Sequence, residues 1–154
     1  MNEEWDKPLR ELRELTHALV ECALPTILIV EDYQPMAEML ETGMRELASN
    51  PIQVFHTAEE ALEWLHGERD CGLMLLDIRL PGMSGLQLLY HLRTCADGCG
   101  QDLPVVILSN YDDLELREEA DHLGVVAFLA KPFNFEQLLL RSQQVGIRWG
   151  LMRA

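Results

Sequence analysis

Five polar residues stand at one kind of place in this chain, directly after a short apolar run. Glu31 and Asp32 follow Ile27-Leu28-Ile29-Val30, Asp77 follows Leu75-Leu76, Ser109 follows Val106-Ile107-Leu108, and Lys131, with Pro132 behind it, follows Phe128-Leu129-Ala130. Taken singly, each has an ordinary explanation. An acidic pair begins a solvated loop, an aspartate caps the turn before a proline, a serine bonds nearby backbone, and a lysine stands in water. Taken together they are three carboxylates, a hydroxyl and an ammonium. Two unit negative charges about 4 Å apart repel by ~4 kcal/mol at an effective dielectric near 20, so three clustered carboxylates call for a cation. An all-oxygen donor set suits a hard divalent ion that keeps part of its water shell, which points to Mg²⁺.

The elements that must position these residues are legible from Thr26 onward, where β-branched apolar runs alternate with helical patterns in five rounds. That alternation predicts βαβ units and a parallel sheet covered on both faces. The predicted strands are Thr26 to Val30, Ile52 to His56, Gly72 to Leu76, Val105 to Leu108 and Val126 to Leu129. Right-handed crossovers place the carboxyl ends of all parallel strands on one edge, where open α/β proteins bind their ligands. Four different strands therefore deliver the polar residues to one crevice.

The intervening helices are amphipathic. The first carries Met36, Leu40, Gly43 and Leu47 on its apolar face. The second is opened by Thr57 as N-cap with Glu60 three residues on and carries Ala58, Ala61, Leu62 and Leu65. The third follows Pro81-Gly82-Met83-Ser84-Gly85 with Leu88, Leu89 and Leu92, and the fourth offers Leu116, Ala120 and Leu123 before Gly124 stops it. The fifth starts near Asn134 with Phe135, Leu138, Leu139 and Val145.

A chain of 154 residues makes one compact domain that buries roughly two-thirds of its surface. Its formal charge of -14 repels nucleic-acid phosphates and anionic headgroups, so direct nucleic-acid or membrane binding is not expected. No apolar stretch approaches the ~20 residues of a membrane span, and Met1 to Arg13 has no signal-peptide core, so a cytoplasmic protein is expected. Cys22, Cys71, Cys95 and Cys99 are scattered and are read as free thiols, with Cys95 and Cys99 the one pair close enough for a local bridge. Residues 1–24 lie outside the alternation. There Trp5, Leu9, Leu12, Leu15 and Leu19 recur at helical spacing among charges, predicting an extra N-terminal helix that packs on the domain, pairs in a homodimer or meets a partner. The expected division is an extension over 1–24, a domain over 25–148 and an apolar tail over 149–154, with no effector domain behind it.

Ile-Leu-Ile-Val-Glu31-Asp32, Leu-Leu-Asp77-Ile-Arg-Leu-Pro81-Gly-Met-Ser-Gly85, Val-Ile-Leu-Ser109 and Ala-Lys131-Pro132-Phe133 resemble the receiver domains of two-component response regulators. The resemblance runs from about Thr26 to Val145 and occupies the family's signature positions in order. It implies a doubly wound, flavodoxin-like α/β fold of five parallel strands in the order 2-1-3-4-5 with flanking helices. It also implies that Asp77 takes a phosphoryl group from a sensor histidine kinase or a histidine phosphotransfer protein. Mg²⁺ would be held by Glu31, Asp32, Asp77 and the backbone carbonyl of Arg79, with Lys131 neutralising the transferred oxygens. Ser109 would then draw inward and Phe128 follow it, altering the face formed by the fourth helix, fifth strand and fifth helix for a downstream protein target. Self-catalysed phosphotransfer and dephosphorylation would be the only chemistry.

The chain departs from the family's pattern at several positions. Phe128 lacks the hydroxyl of the commoner tyrosine, Asn110 is larger than the usual residue after Ser109, and Arg79 and Tyr111 are bulky where family side chains govern water access. Slow hydrolysis of the phosphorylated form is the corresponding expectation. The haloacid-dehalogenase type also uses a strand-end aspartate and Mg²⁺, but Arg79 stands where its second aspartate would be. Two further readings remain open at this level: a phosphorelay intermediate, and a receiver-like interaction module that is not phosphorylated. None of His17, His56, His66, His91 and His122 is placed for a site role.

Overall fold

A computed structural model describes residues 7–15, 24–67, 70–95, 100–110 and 114–151. Trp5, His17, Leu19, Cys22, Cys99, Tyr111 and Met152 lie outside the described residues. The alternation is realised as β1 (Thr26–Val30), α1 (Gln34–Leu47), β2 (Ile52–Phe55), α2 (Ala58–His66), β3 (Cys71–Asp77), α3 (Gly85–Thr94), β4 (Val105–Ser109), α4 (Leu114–His122), β5 (Ala127–Ala130) and α5 (Phe135–Gln143). All strand pairs are parallel, in the order β2-β1-β3-β4-β5. This is the doubly wound, flavodoxin-like order that the resemblance implied.

Two apolar layers hold the sheet. Leu28, Val30, Met74, Leu76, Val105, Ile107 and Phe128 point to one face, where Ala61 and Leu65 of α2, Leu88, Leu89 and Leu92 of α3 and Ala120 of α4 meet them. The alternate residues Ile27, Ile29, Leu73, Leu75, Val106 and Leu108 point to the other, against Leu40 and Met44 of α1 and Leu138 of α5. Because successive side chains of a strand face opposite sides, a strand buried on both faces must be apolar throughout. The first uncovered position is at the carboxyl end, and polar residues begin there.

Capping follows the expected chemistry. The Thr57 hydroxyl accepts the Glu60 N–H, and Ser84 with Gln87 forms a full capping box at α3. Gly124 takes φ +71° after α4, and the Lys131–Pro132 peptide is cis. Strand ends moved by a residue: β3 reaches Asp77 itself, β2 stops before His56, and β5 begins at Ala127, after the exposed Val126.

The face of α1 differs from the expected one. Ala37, Leu40 and Met44 are its buried residues, while Met36 and Leu47 are half-buried flanks. The two stripes share Leu40 and lie side by side on the helix, and Gly43 of the expected stripe takes the contact with Phe135. A Cβ at Gly43 would lie 1.9 Å from Phe135 Cζ, so the glycine is the gap through which α5 approaches α1.

Residues 7–15 are helical, and Leu9, Leu12 and Leu15 are 52%, 60% and 62% exposed. At the other end the chain folds back over the amino edge of the sheet. Gly150 N–H donates to Asn50 Oδ1 at 2.8 Å, Ser49 N–H donates to the Gly150 carbonyl at 2.7 Å, and Leu151 bridges to Ala48. Trp149 packs on the α1/α5 layer.

Candidate functional site

Each site residue stands where a strand runs out of cover. Val30 is the last buried apolar residue of β1, and the backbone N–H of Glu31 still bonds to Phe55 of β2 at 3.0 Å. That ladder bond aims the Glu31 side chain inward, leaving it 1% exposed, whereas Asp32 one residue later is exposed. Asp77 closes β3, paired with Leu108, and is 6% exposed. Ser109 ends β4 opposite Ala130 and is fully buried. Its carbonyl accepts the Lys131 N–H, which carries the β4–β5 ladder one step further and brings the lysine to the same edge.

The four charged groups meet there. Glu31, Asp32 and Asp77 each present an oxygen, and these atoms all lie within 4.8 Å of one another. Lys131 Nζ donates to Glu31 Oε2 at 3.1 Å and Oε1 at 3.2 Å, and stands 3.8 Å from Asp77 Oδ2. The Arg79 backbone N–H donates to Asp77 Oδ1 at 3.2 Å, while its side chain is exposed. Burial, followed by the Asp77 charge, raises the Glu31 carboxyl to about 7 in spite of Lys131. Asp77 is also raised, chiefly by burial, against the opposing pull of the Lys131 charge and the Arg79 N–H. Two buried carboxyls that both hold their protons too tightly describe a site short of positive charge. An oxygen-only cluster of this kind fits a hard divalent cation, which would relieve that shortage.

Phe128 lies apart from the carboxylates, on β5 opposite Ile107, buried against the α2/α3/α4 layer. The Arg117 guanidinium of α4 sits 6.0 Å from the ring centroid, within cation–π range. Asn110 is exposed, as are His56, His66, His91 and His122. Cys71 is a free thiol, and burial pushes it up to about 12.

Two features of the site escaped the sequence reading. Lys131 pairs more closely with Glu31 than with Asp77, which depends on side-chain reach across the sheet and has no linear signal. Glu59 of α2 accepts the Met83 N–H at 2.6 Å in the loop after Asp77. The Pro81-Gly82 pair marked a turn there, yet nothing in the sequence pairs that turn with Glu59.

Comparison with known proteins agrees with this geometry. The family described as the response regulator receiver domain matches residues 27–143. The transcriptional regulatory protein HprR of Escherichia coli is 36% identical over 115 residues, covering 75% of this chain and 48% of that protein. A solved response-regulator structure from Chloroflexus aurantiacus shares 30% identity with a TM-score of 0.68, covering 78% of this chain and 95% of the other. The chemotaxis protein CheY4 of Vibrio cholerae, at 24% identity and a TM-score of 0.70, shares the fold over 80% of this chain and 99% of its own. The chain spans about half the length, or less, of the curated relatives it matches.

Proposed function

The chain belongs to the response-regulator receiver family, and on that premise we propose that Asp77 is its phospho-acceptor, served by Lys131 and an Mg²⁺-binding carboxylate cluster. The observation that carries this reading is the meeting of Asp77 with Glu31, Asp32 and Lys131 at one strand edge, with Lys131 Nζ 3.8 Å from Asp77 Oδ2.

One Asp77 carboxylate oxygen attacks the phosphorus of a phosphohistidine or a small acyl phosphate. The new O–P bond forms as the old P–N or P–O bond breaks, and the leaving group keeps the bonding pair. Glu31, Asp32, Asp77 and the Arg79 carbonyl would hold Mg²⁺, which would supply charge neutralisation for the oxygens in transit. Lys131, within reach of Asp77, supplies a second fixed charge for the transferred phosphoryl oxygens. The Arg79 N–H keeps one Asp77 oxygen engaged and so orients the other.

The buried Ser109 hydroxyl then donates to a phosphoryl oxygen and draws the end of β4 inward. Phe128 and the α4 surface carrying Arg117 respond, changing the α4–β5–α5 face for a partner protein. Receiver domains of this family interact with histidine kinases. The reading takes residues 25–148 as the functional unit, in the cytoplasm, with a sensor kinase or phosphotransfer protein as donor. Among the described residues no helix is long and apolar enough to cross a membrane. Several relatives are transcriptional regulators by name, but the charge of -14 favours a protein target over nucleic acid for this segment.

Intact-mass spectrometry after incubation with acetyl phosphate and Mg²⁺ tests the reading. One phosphoryl mass should appear in the wild type and be absent from Asp77→Asn and from a chelated control. Uptake that survives in Asp77→Asn would overturn the assignment. Onward movement of the label to a phosphotransfer protein would identify a relay rather than a binding switch.

A further inference from the structure

The loop that leaves the acceptor strand is held from outside its own unit. Residues 78–84 connect Asp77 to α3, and the base of the loop is closed by Gly85 N–H to the Ile78 carbonyl at 2.9 Å and Ile78 N–H to Leu108 at 3.2 Å. Its far end is anchored differently. Gly82 takes φ +73°, which turns the next peptide so that the Met83 N–H reaches Glu59 Oε1 at 2.6 Å. Glu59 belongs to the first turn of α2, on the other side of β3's crossover. The glycine and the glutamate are matched: a Cβ at Gly82 would meet Glu59 Oε1 at 2.7 Å, in a backbone conformation that side chains rarely adopt. The Met83 N–H bond also lowers the Glu59 carboxyl from its ordinary range, so it is ionised at neutral pH and the bond is charge-assisted.

We propose that Glu59 is a positioning residue for the acceptor site, which clasps the loop after Asp77 so that the Arg79 carbonyl stays in register with the carboxylate cluster. This inference rests on the reading above, because it assigns the loop a share in holding the cation. Groups that orient metal ligands matter strongly when they bond to the ligand itself. Glu59 holds Met83, and Leu80, Pro81 and Gly82 separate that residue from Arg79, so a smaller effect is expected. Its contribution lies in keeping the loop from sampling other arrangements.

The test uses the full chain and its variants Glu59→Ala and Glu59→Gln. Glutamine keeps a side-chain oxygen acceptor and loses only the charge. Two readouts are taken: the amide proton shift of Met83 in ¹⁵N-resolved spectra, and the Mg²⁺ concentration that gives half-maximal phosphoryl uptake from acetyl phosphate. In Glu59→Ala the Met83 amide should lose its downfield position. Half-maximal Mg²⁺ should rise roughly three- to ten-fold, the effect of one hydrogen bond, while uptake at saturating Mg²⁺ stays within about two-fold of wild type. Glu59→Gln should restore most of both.

An unmoved Met83 amide in Glu59→Ala would show that the clasp does not form and would overturn the proposal. So would an unchanged Mg²⁺ dependence with wild-type uptake intact, or a Glu59→Gln variant no better than Glu59→Ala. Failure of the wild type itself to bind Mg²⁺ would sink the functional reading as well, and is separated from the other outcomes by the wild-type control.

Discussion

Lys131 is paired with Glu31, 3.1 Å from its carboxylate, and only approaches Asp77, at 3.8 Å. One ammonium is thus shared between two buried carboxyls, with Glu31 the nearer partner. On the proposal that Asp77 takes up a phosphoryl group, the lysine sits near enough to meet the new negative charge as it arrives. Glu31, in this view, holds Lys131 in place until then.

Removal of the lysine should be costly twice. Lys131→Met leaves Glu31 and Asp77 buried without their nearby cation, so their pKa values rise further and the metal-free protein weakens at neutral pH by roughly 1–3 kcal/mol. Urea unfolding in chelator measures that loss. Phosphoryl uptake should fall at least about tenfold even at saturating Mg²⁺, read by intact mass, since the second fixed charge is gone. Unimpaired uptake would remove Lys131 from the mechanism.

Asp77→Asn should stabilise the metal-free protein while abolishing uptake. The substitution deletes one of two repelling buried carboxylates and retains a polar side chain for the Arg79 N–H, so a gain of about 1 kcal/mol is expected in chelator. Mg²⁺ should stabilise the variant much less than the wild type. A destabilised Asp77→Asn would mean that the carboxylate contributes more to folding than its burial suggests.

The pH dependence of the metal-free protein follows from Glu31. Its folded-state value of about 7 lies above the unfolded one near 4.5, so the folded form holds the proton more tightly. The associated stability is fully present below about pH 4.5 and is lost as pH rises through about 7, a decline on the order of 2–3 kcal/mol. Subtracting the curve of Glu31→Gln, which does not titrate there, isolates this contribution. The difference curve should flatten when Mg²⁺ is added above pH 7, because the cation binds the ionised form.

Gly43→Ala should destabilise the domain by roughly 1–3 kcal/mol, because the new Cβ overlaps the Phe135 ring at 1.9 Å and the α1–α5 contact must open. Adding Phe135→Leu should recover part of that loss, giving a coupling that a double-mutant cycle measures. Additive effects would mean that the helices separate without strain.

The order of strands and helices, the two-faced burial of β1, β3 and β4, and the placement of Glu31, Asp32, Asp77, Ser109 and Lys131 on one edge were all legible in the linear pattern. Each is a consequence of local periodicity and of a crossover rule that applies to every parallel sheet. Thr57 and its Glu60 partner were legible for the same reason, since a cap is a contact across three residues. The stripe of α1 that faces the core was legible only in part: Met36, Leu40, Gly43 and Leu47 do lie toward the core and Phe135, but neighbouring stripes of one helix are equally periodic, and the most deeply buried residues are Ala37, Leu40 and Met44.

The same division runs through the site. Residue types and spacing already determined which groups gather, how many are negative, and that a hard cation suits them. Tertiary structure alone decided that Lys131 pairs with Glu31 and that Glu59 reaches across from α2 to hold Met83. Those contacts span different βα units, so their partners are set by side-chain reach and sheet twist, quantities that no periodicity in the chain encodes.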